Sequence, residues 1–283
     1  MKYLIFILFT FFSSVLAAQL EYPKISPFTK LEQEVGLTKI TVLYSRPGAK
    51  GRKVIGGLVP FGRIWRVGAN ESTKFTADTD LTIMGNYLRK GTYALYAFPY
   101  EDYWEVVFHQ NTEHWGDGRA AYDPAEDAFR IRIKPNQIPY YQENFLITFD
   151  EISHNAINML WIWEHTLIKI PISVDTDTKM RQLITSSIEK NPSAQTYYEA
   201  ARYLQEQGKS YEEALSYLNK AIELGGDTYY FYRVKSLVEA GMDDYTSAII
   251  SAQKSMELAE KEGKDEFVRM NAQNIVDWKK NKL

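Results

Sequence analysis

The residues AFRIRIK (128–134) alternate strictly: Phe129, Ile131 and Ile133 share one face, and Arg130, Arg132 and Lys134 the other. A two-residue period of this kind predicts a half-buried strand. Runs of strand character recur before and after it. KITVLYS (39–45) alternates, and residues 31–35, separated from it by Gly36, predict an opening hairpin. KFTAD (74–78), LTIMGNYL (81–88, turning at Gly85 and Asn86), TYALYAF (92–98), YWEVVFH (103–109), FLITFDE (145–151), NMLWIWE (158–164) and LIKIPIS (167–173) complete the series. About nine or ten short strands, broken by Gly, Pro and Asn/Asp with no helical period between them, predict an antiparallel β-sandwich or jelly-roll-like domain over 26–174. Pro171 has no backbone N–H to give a ladder, which predicts an edge position for the last strand.

After Asp175 the period becomes helical. Asp177 is placed to cap a helix running to Lys190, and Asn191 and Pro192 stop it. From 196 to 259 the chain repeats itself. Tyr211, Ala214, Leu218, Ala221 and Leu224 align with Tyr245, Ala248, Ala252, Ser255 and Leu258 at an offset of 34. This pattern resembles the tetratricopeptide repeat, a pair of antiparallel helices that stacks on its neighbours. Its usual Trp and Pro positions are absent here. Ala201, Ala214, Ala221 and Ala248 let the paired helices approach, while Tyr and Leu fill the gaps. A last helix from Asp265 carries Phe267, Met270, Ile275 and Trp278 to cover the open end of the array. The expected fold class is therefore β plus α: a β-sandwich, then an all-α helical-repeat domain over 176–283.

The N-terminus changes the picture of where this chain resides. One cation, Lys2, precedes an apolar run, and the small residues Ser13, Ser14, Ala17 and Ala18 follow. That is the form of a secretory signal peptide over 1–18, cleaved after Ala17 or Ala18. The uninterrupted apolar run is short for a membrane span, and no later segment approaches ~20 apolar residues. The expectation is an exported, periplasmic or extracellular protein with no transmembrane segment after cleavage. There is no Cys, so neither a lipid anchor on Cys nor a disulfide supports the fold. Loss of Lys2 takes the net charge from −3 to −4, which argues against nucleic acid as a partner.

Against that mildly acidic body, residues 44–72 stand out: YSRPGAKGRKVIGGLVPFGRIWRVGANES. The stretch holds Arg46, Lys50, Arg52, Lys53, Arg63 and Arg66 against one acid, Glu71, and six of the 16 glycines. It resembles the family called domain of unknown function 2911, found mostly in exported proteins of the Bacteroidota. The resemblance runs from about residue 26 to 174. It includes VGLTKITVLYSRP, GRKVIGGLVPFGRIWRVGANE, KGTYALYAFP, HWG, DAFRIRIKP, WEHT and PI. It implies a β-rich exported domain often followed by helical repeats, and it implies no reaction.

Three readings of this block stay open. Arg46, Arg52 and Arg66 offer two-point donors for carboxylate or phosphate, and the glycines let backbone N–H groups close on an anion. With Trp65, Asn70 and Glu71 they form a candidate pocket for a small anionic or sugar-like ligand. Alternatively the arginines bond backbone carbonyls and Glu71 while Trp65 plugs the core, making the block a lock and the protein structural. A hydrolase acting on glycans or phosphoesters would use paired carboxylates, such as Glu71 with Glu105 or Asp150.

Other chemistries have less to stand on. No Walker loop, no Cys and no G-x-S-x-G is present. His109 and His114, with Glu113 and Asp117, hint at a metal, but the spacing is not a standard zinc motif and no third ligand is placed. We therefore expect no cofactor and no metal. Trp115 and Gly116 are expected to pack that loop over the mouth of the sandwich. Tyr197, Tyr198, Tyr203, Tyr229, Tyr230 and Tyr232 exceed what packing demands. They are read either as inter-repeat packing or as a groove for another envelope or secreted protein. The function expected is non-enzymatic binding.

Overall fold

A computed structural model describes residues 22–114 and 121–281. The leader read over 1–18 and the Trp115-Gly116 pair lie outside the described residues. The chain divides into two compact units, Met1–Asp175 and Thr176–Leu283.

Among the described residues the first unit has ten strands: β1 (Phe28–Val35), β2 (Thr38–Ser45), β3 (Thr73–Ala77), β4 (Leu81–Ile83), β5 (Asn86–Leu88), β6 (Gly91–Pro99), β7 (Trp104–His109), β8 (Asp127–Ile133), β9 (Asn136–Asp150) and β10 (Ala156–Val174). A 3-10 helix, Pro124–Glu126, precedes β8. The pairings between these strands are all antiparallel. One sheet has the order β1-β2-β3-β6-β7-β8, and the other β5-β4-β10-β9. Alternating side chains of both sheets, among them Ile40, Val42, Phe75, Leu95, Phe108, Ile147, Met159 and Ile170, share one core. This is the sandwich form of the expected β-domain.

Two expectations need correction. The tight turn in LTIMGNYL centres on Met84 and Gly85, both at positive φ, one residue earlier than expected. Pro171 is not on an edge strand, because β10 lies between β4 and β9. β10 pairs β9 as far as Leu167 and β4 from Ile172 onward, so Pro171 falls in the gap between two ladders, where no N–H is required.

β10 also fuses what the pattern divides into two strands. Met159, Trp161 and Trp163 face the core in its first half; Ile168, Ile170 and Ile172 do so in its second. The parity changes between them. Register shifts on either side of Glu164, whose φ is 49°, make that change without ending the strand.

Among the described residues the second unit holds six helices: α1 (Thr176–Lys190), α2 (Ala194–Glu206), α3 (Tyr211–Glu223), α4 (Tyr229–Gly241), α5 (Tyr245–Lys261) and α6 (Asp265–Asn281). Successive helices pack on one another. Ala201, Ala214, Ala221, Ala248 and Ala252 are wholly buried where they meet. Asp177 sits in the first turn of α1, and its carboxylate accepts from Tyr203 Oη at 2.7 Å and from Lys209 Nζ. A buried polar chain joins the last three helices. Asn271 Nδ2 donates to Ser255 Oγ (2.8 Å), and Ser255 Oγ donates to the Tyr229 carbonyl (2.6 Å).

Candidate functional site

The Gly/Arg block runs between β2 and β3 and touches both sheets. Residues 47–49 continue β2 across to β9: Ala49 N donates to the Glu143 carbonyl and Phe145 N to the Pro47 carbonyl, each at 2.9 Å. A compact loop follows, with Val54 and Val59 buried and Val59 N donating to the Val54 carbonyl at 2.8 Å. A Cβ on Gly57 would lie 2.4 Å from the Lys53 carbonyl oxygen, so only glycine fits there. Trp65 then pairs with Ala97 through two 2.8 Å hydrogen bonds, taking the neighbour position that β3 vacates on β6.

Trp65 plugs this end of the sandwich. Its ring is edge-on to Trp104 (5.9 Å) and Phe145 (5.0 Å) and stacked on Trp163 (5.8 Å). Its Nε1 donates to the Gly68 carbonyl at 3.2 Å. Tyr44 adds a second tie between the sheets. Its hydroxyl donates to the Ile147 carbonyl and accepts from Ile147 N, and burial raises its pKa above the ordinary value.

The donors of the block are largely met from within. Arg46 Nε donates to the Phe145 carbonyl (3.0 Å), and Arg52 donates to the carbonyls of Ala49 (2.9 Å) and Gly48 (2.8 Å). The backbone N–H groups that resemble an anion nest receive carboxylates of the protein's own. Glu164 accepts from Val54 N (3.0 Å) and Ile55 N (3.3 Å), and Glu143 from Lys50 N (2.7 Å). Neither glutamate stood out in the sequence, because an acid within a strand reads as a solvated position.

The six residues singled out in the sequence fall into three places. Arg52, Trp65 and Arg66 line one cleft of about 300 Å³, together with Pro60, Ile64 and Trp163. Asn70 and Glu71 line a separate cleft of about 260 Å³ with Tyr44, Ser45 and Lys74. Arg46 lines neither of these clefts. Asn70 Nδ2 donates to Ser45 Oγ (3.0 Å), and Glu71 counters the burial that lowers the Lys74 pKa. The corner after Arg66 is strained. Val67, β-branched and buried, has φ 54°, and Gly68 at φ 149° would set a Cβ 2.9 Å from the Ser45 carbonyl oxygen. Thr73 holds the corner, its N donating to the Arg66 carbonyl and its hydroxyl to that of Val67.

The carboxylates named for a hydrolase stand in different surroundings: Glu71 lines the cleft with Asn70. Glu105 is ion-paired with Arg130 (3.2 Å) and Arg132 (3.0 Å) on the outer face of β7, while Asp150 ends β9 in the other sheet. A different group of polar residues does come together. His109 at the end of β7, His114 and Glu126 place one ligand atom each within 4.8 Å of one another. Glu126 was missed in the sequence because it stands well down the chain from both histidines. Asp117 lies outside the described residues.

Most tyrosines of the second unit are packed. Tyr198 stacks on Phe231 at 4.5 Å, Tyr197 meets Tyr217 at 5.9 Å, and Tyr229 meets Phe267 at 4.6 Å. Tyr203 is buried on Asp177.

An antiparallel two-sheet β-domain, closed at one end by a Gly/Arg crossover and followed by paired helices, is the class this chain defines. Residues 26–172 match the family described as Protein of unknown function (DUF2911), and the chain belongs to that family. No curated protein matches the sequence.

Proposed function

We propose that this is an exported, non-enzymatic binding protein. Its β-domain takes a small anionic or sugar-like ligand in the cleft of Arg52, Trp65 and Arg66. Its helices, as repeats of the tetratricopeptide kind, hold another envelope or secreted protein. The observation that carries the reading is the cleft itself: Arg52 and Arg66 line it together with Trp65, Trp163 and Pro60, in a volume of about 300 Å³. That is the lower end of the range for small-ligand sites, and the mix of apolar wall and few charged groups is typical of them. Among the described residues, Arg52 commits two of its five N–H donors to carbonyls, which leaves three. The strained Val67 beside Arg66 supports the same place, since such backbone collects at ligand sites.

The cleft is tested by a thermal-shift screen of residues 19–283 against sugars, phosphates and carboxylates. A hit that raises Tm for the wild type and not for Arg66→Ala is the expected result. Export is tested by sequencing the mature N-terminus, expected at Ala18 or Gln19. Capture with residues 176–283 is expected to recover an envelope or secreted protein, and recovery of none above background counts against that role.

A purely structural role is the second reading. It is favoured by Arg46 and Arg52 donating to carbonyls, and by Glu143 and Glu164 filling the backbone donors of the loop. It predicts that no ligand shifts Tm.

A further inference from the structure

We propose that His109, His114 and Glu126 form a binding site for a zinc-class divalent metal ion, separate from the Arg/Trp cleft. Three observations carry this. The first is convergence. His109 Nε2 lies 3.3 Å and His114 Nε2 3.9 Å from Glu126 Oε2. Ligand atoms about 2.0–2.1 Å from a tetrahedral ion stand roughly 3.4 Å apart, so these atoms already have near-ligand spacing.

The second is the state of His109. Its side chain has 0% exposure, yet among the described residues Nε2 has no hydrogen-bond partner. The approach to Glu126 lacks the alignment of a hydrogen bond, which an ordinary internal His–Glu pair would adopt. A buried nitrogen left in this state carries a desolvation cost that coordination to an ion removes.

The third is the arrangement behind the ligands. His109 Nδ1 is 3.0 Å from Asp127 Oδ1, a carboxylate that accepts from an Nδ1–H and so favours the tautomer with Nε2 unprotonated. Asp127 is itself held by the Tyr122 hydroxyl (2.8 Å) and by Arg130 (2.8 Å). On Glu126, Oε1 accepts from Asn111 Nδ2 (3.3 Å), and the opposite oxygen turns to the imidazoles. The backbone is tied as well, with Gln110 N donating to the Glu126 carbonyl at 2.9 Å. Each of these two ligands thus has an outer partner on its other polar atom, as metal-binding side chains do.

Two imidazoles and one carboxylate select zinc, cobalt or nickel over magnesium and calcium, which prefer all-oxygen sites. Three protein ligands leave a tetrahedral ion one position for water or a ligand atom.

The test uses residues 19–283, stripped with chelator and dialysed. Titration calorimetry with zinc chloride is expected to give one ion per chain, with magnesium and calcium chloride giving no comparable heat. Cobalt(II) is expected to give the visible absorption of a four-coordinate site, a reading that needs no mutation. His114→Ala and Glu126→Gln alter side chains that are not fully buried and are each expected to weaken zinc binding by more than ~10-fold. Asn111→Ala, one shell out, is expected to weaken it by about 10-fold. His154→Ala serves as the control and leaves affinity unchanged. Absence of stoichiometric zinc binding and of a cobalt spectrum in the wild type overturns the proposal. So does wild-type affinity in both His114→Ala and Glu126→Gln.

Discussion

At the scale of residues, Arg46 and Trp65 tie the two sheets together, and Arg66 faces a cleft. The Arg46 guanidinium reaches from the end of β2 to the Phe145 carbonyl of the opposite sheet. Removing it leaves that acceptor without its charged donor, so Arg46→Ala is expected to lower stability by about 1–3 kcal/mol in urea unfolding. Trp65 contacts Trp104, Phe145 and Trp163 at once, and Trp65→Ala is expected to cost about 3–5 kcal/mol by the same measurement. A Trp65→Ala chain that unfolds at the wild-type urea midpoint would show that the ring closes nothing. That arginines and a tryptophan matter in this block was legible from their concentration among glycines. Which arginine does what was not. Arg46, Arg52 and Arg66 look alike in the sequence, and only the path of the main chain decides which carbonyls lie beside them.

At the scale of elements, the crossover is held by Glu164 and β10 by a bulge at the same residue. Glu164→Gln keeps the shape but has one acceptor oxygen where the carboxylate gives Oε1 to Val54 N and Oε2 to Ile55 N, so one charge-assisted hydrogen bond is lost and the other weakened. We expect faster amide exchange at Val54 and Ile55, with the strands of β2 and β3 unchanged. Equal protection in the variant contradicts the assignment. Helix α4 carries a pH-dependent liability. Burial raises the Glu239 carboxyl pKa above its ordinary value of 4.5, and Ser251 and Lys235 only partly oppose this. The folded state therefore disfavours the ionised form. The stability from Glu239 is complete below 4.5 and is lost as pH rises through the raised value. Glu239→Gln is expected to melt higher than wild type at pH 7 and to lose that advantage near pH 4, as read by helical circular dichroism. A variant less stable at pH 7 contradicts this sign.

Elements were legible where one face is buried. β8 alternates because Ile131 and Ile133 face the core while Arg130 and Arg132 face solvent. The first nine residues of β9 are exposed or half-exposed on both faces, so no period marks them as strand. β10 looked like two strands because its bulge reverses the parity of the buried positions. The histidine and Glu126 cluster was hidden for a different reason. Its members meet through the pairing of β7 with β8, which brings Asp127 beside His109 and Glu126 with it.

At the scale of the molecule, the change from a two-residue to a 3.6-residue period near residue 175 was legible because the β-unit and the helical unit each bury a core of their own. The helical core runs from Ile184 and Tyr198 through Leu204, Ala214 and Leu218 to Val238. Residues 176–283 are therefore expected to fold alone, with a cooperative melt and helical circular dichroism. A non-cooperative fragment contradicts a self-contained core. The ligand was not legible at any scale, because a cleft is a property of surfaces brought together and residues 52, 65 and 66 share it with Trp163, far along the chain.

The central claim is that the cleft of Arg52, Trp65 and Arg66 is a binding site and that Arg46 is only a tie between sheets. Calorimetric titration of residues 19–283 with the best sugar, phosphate or carboxylate from the thermal screen tests it most directly. The account predicts saturable binding that Arg66→Ala abolishes and that Arg46→Ala, though less stable, retains. No saturable binding by the wild type, or equal affinity in Arg66→Ala, contradicts it.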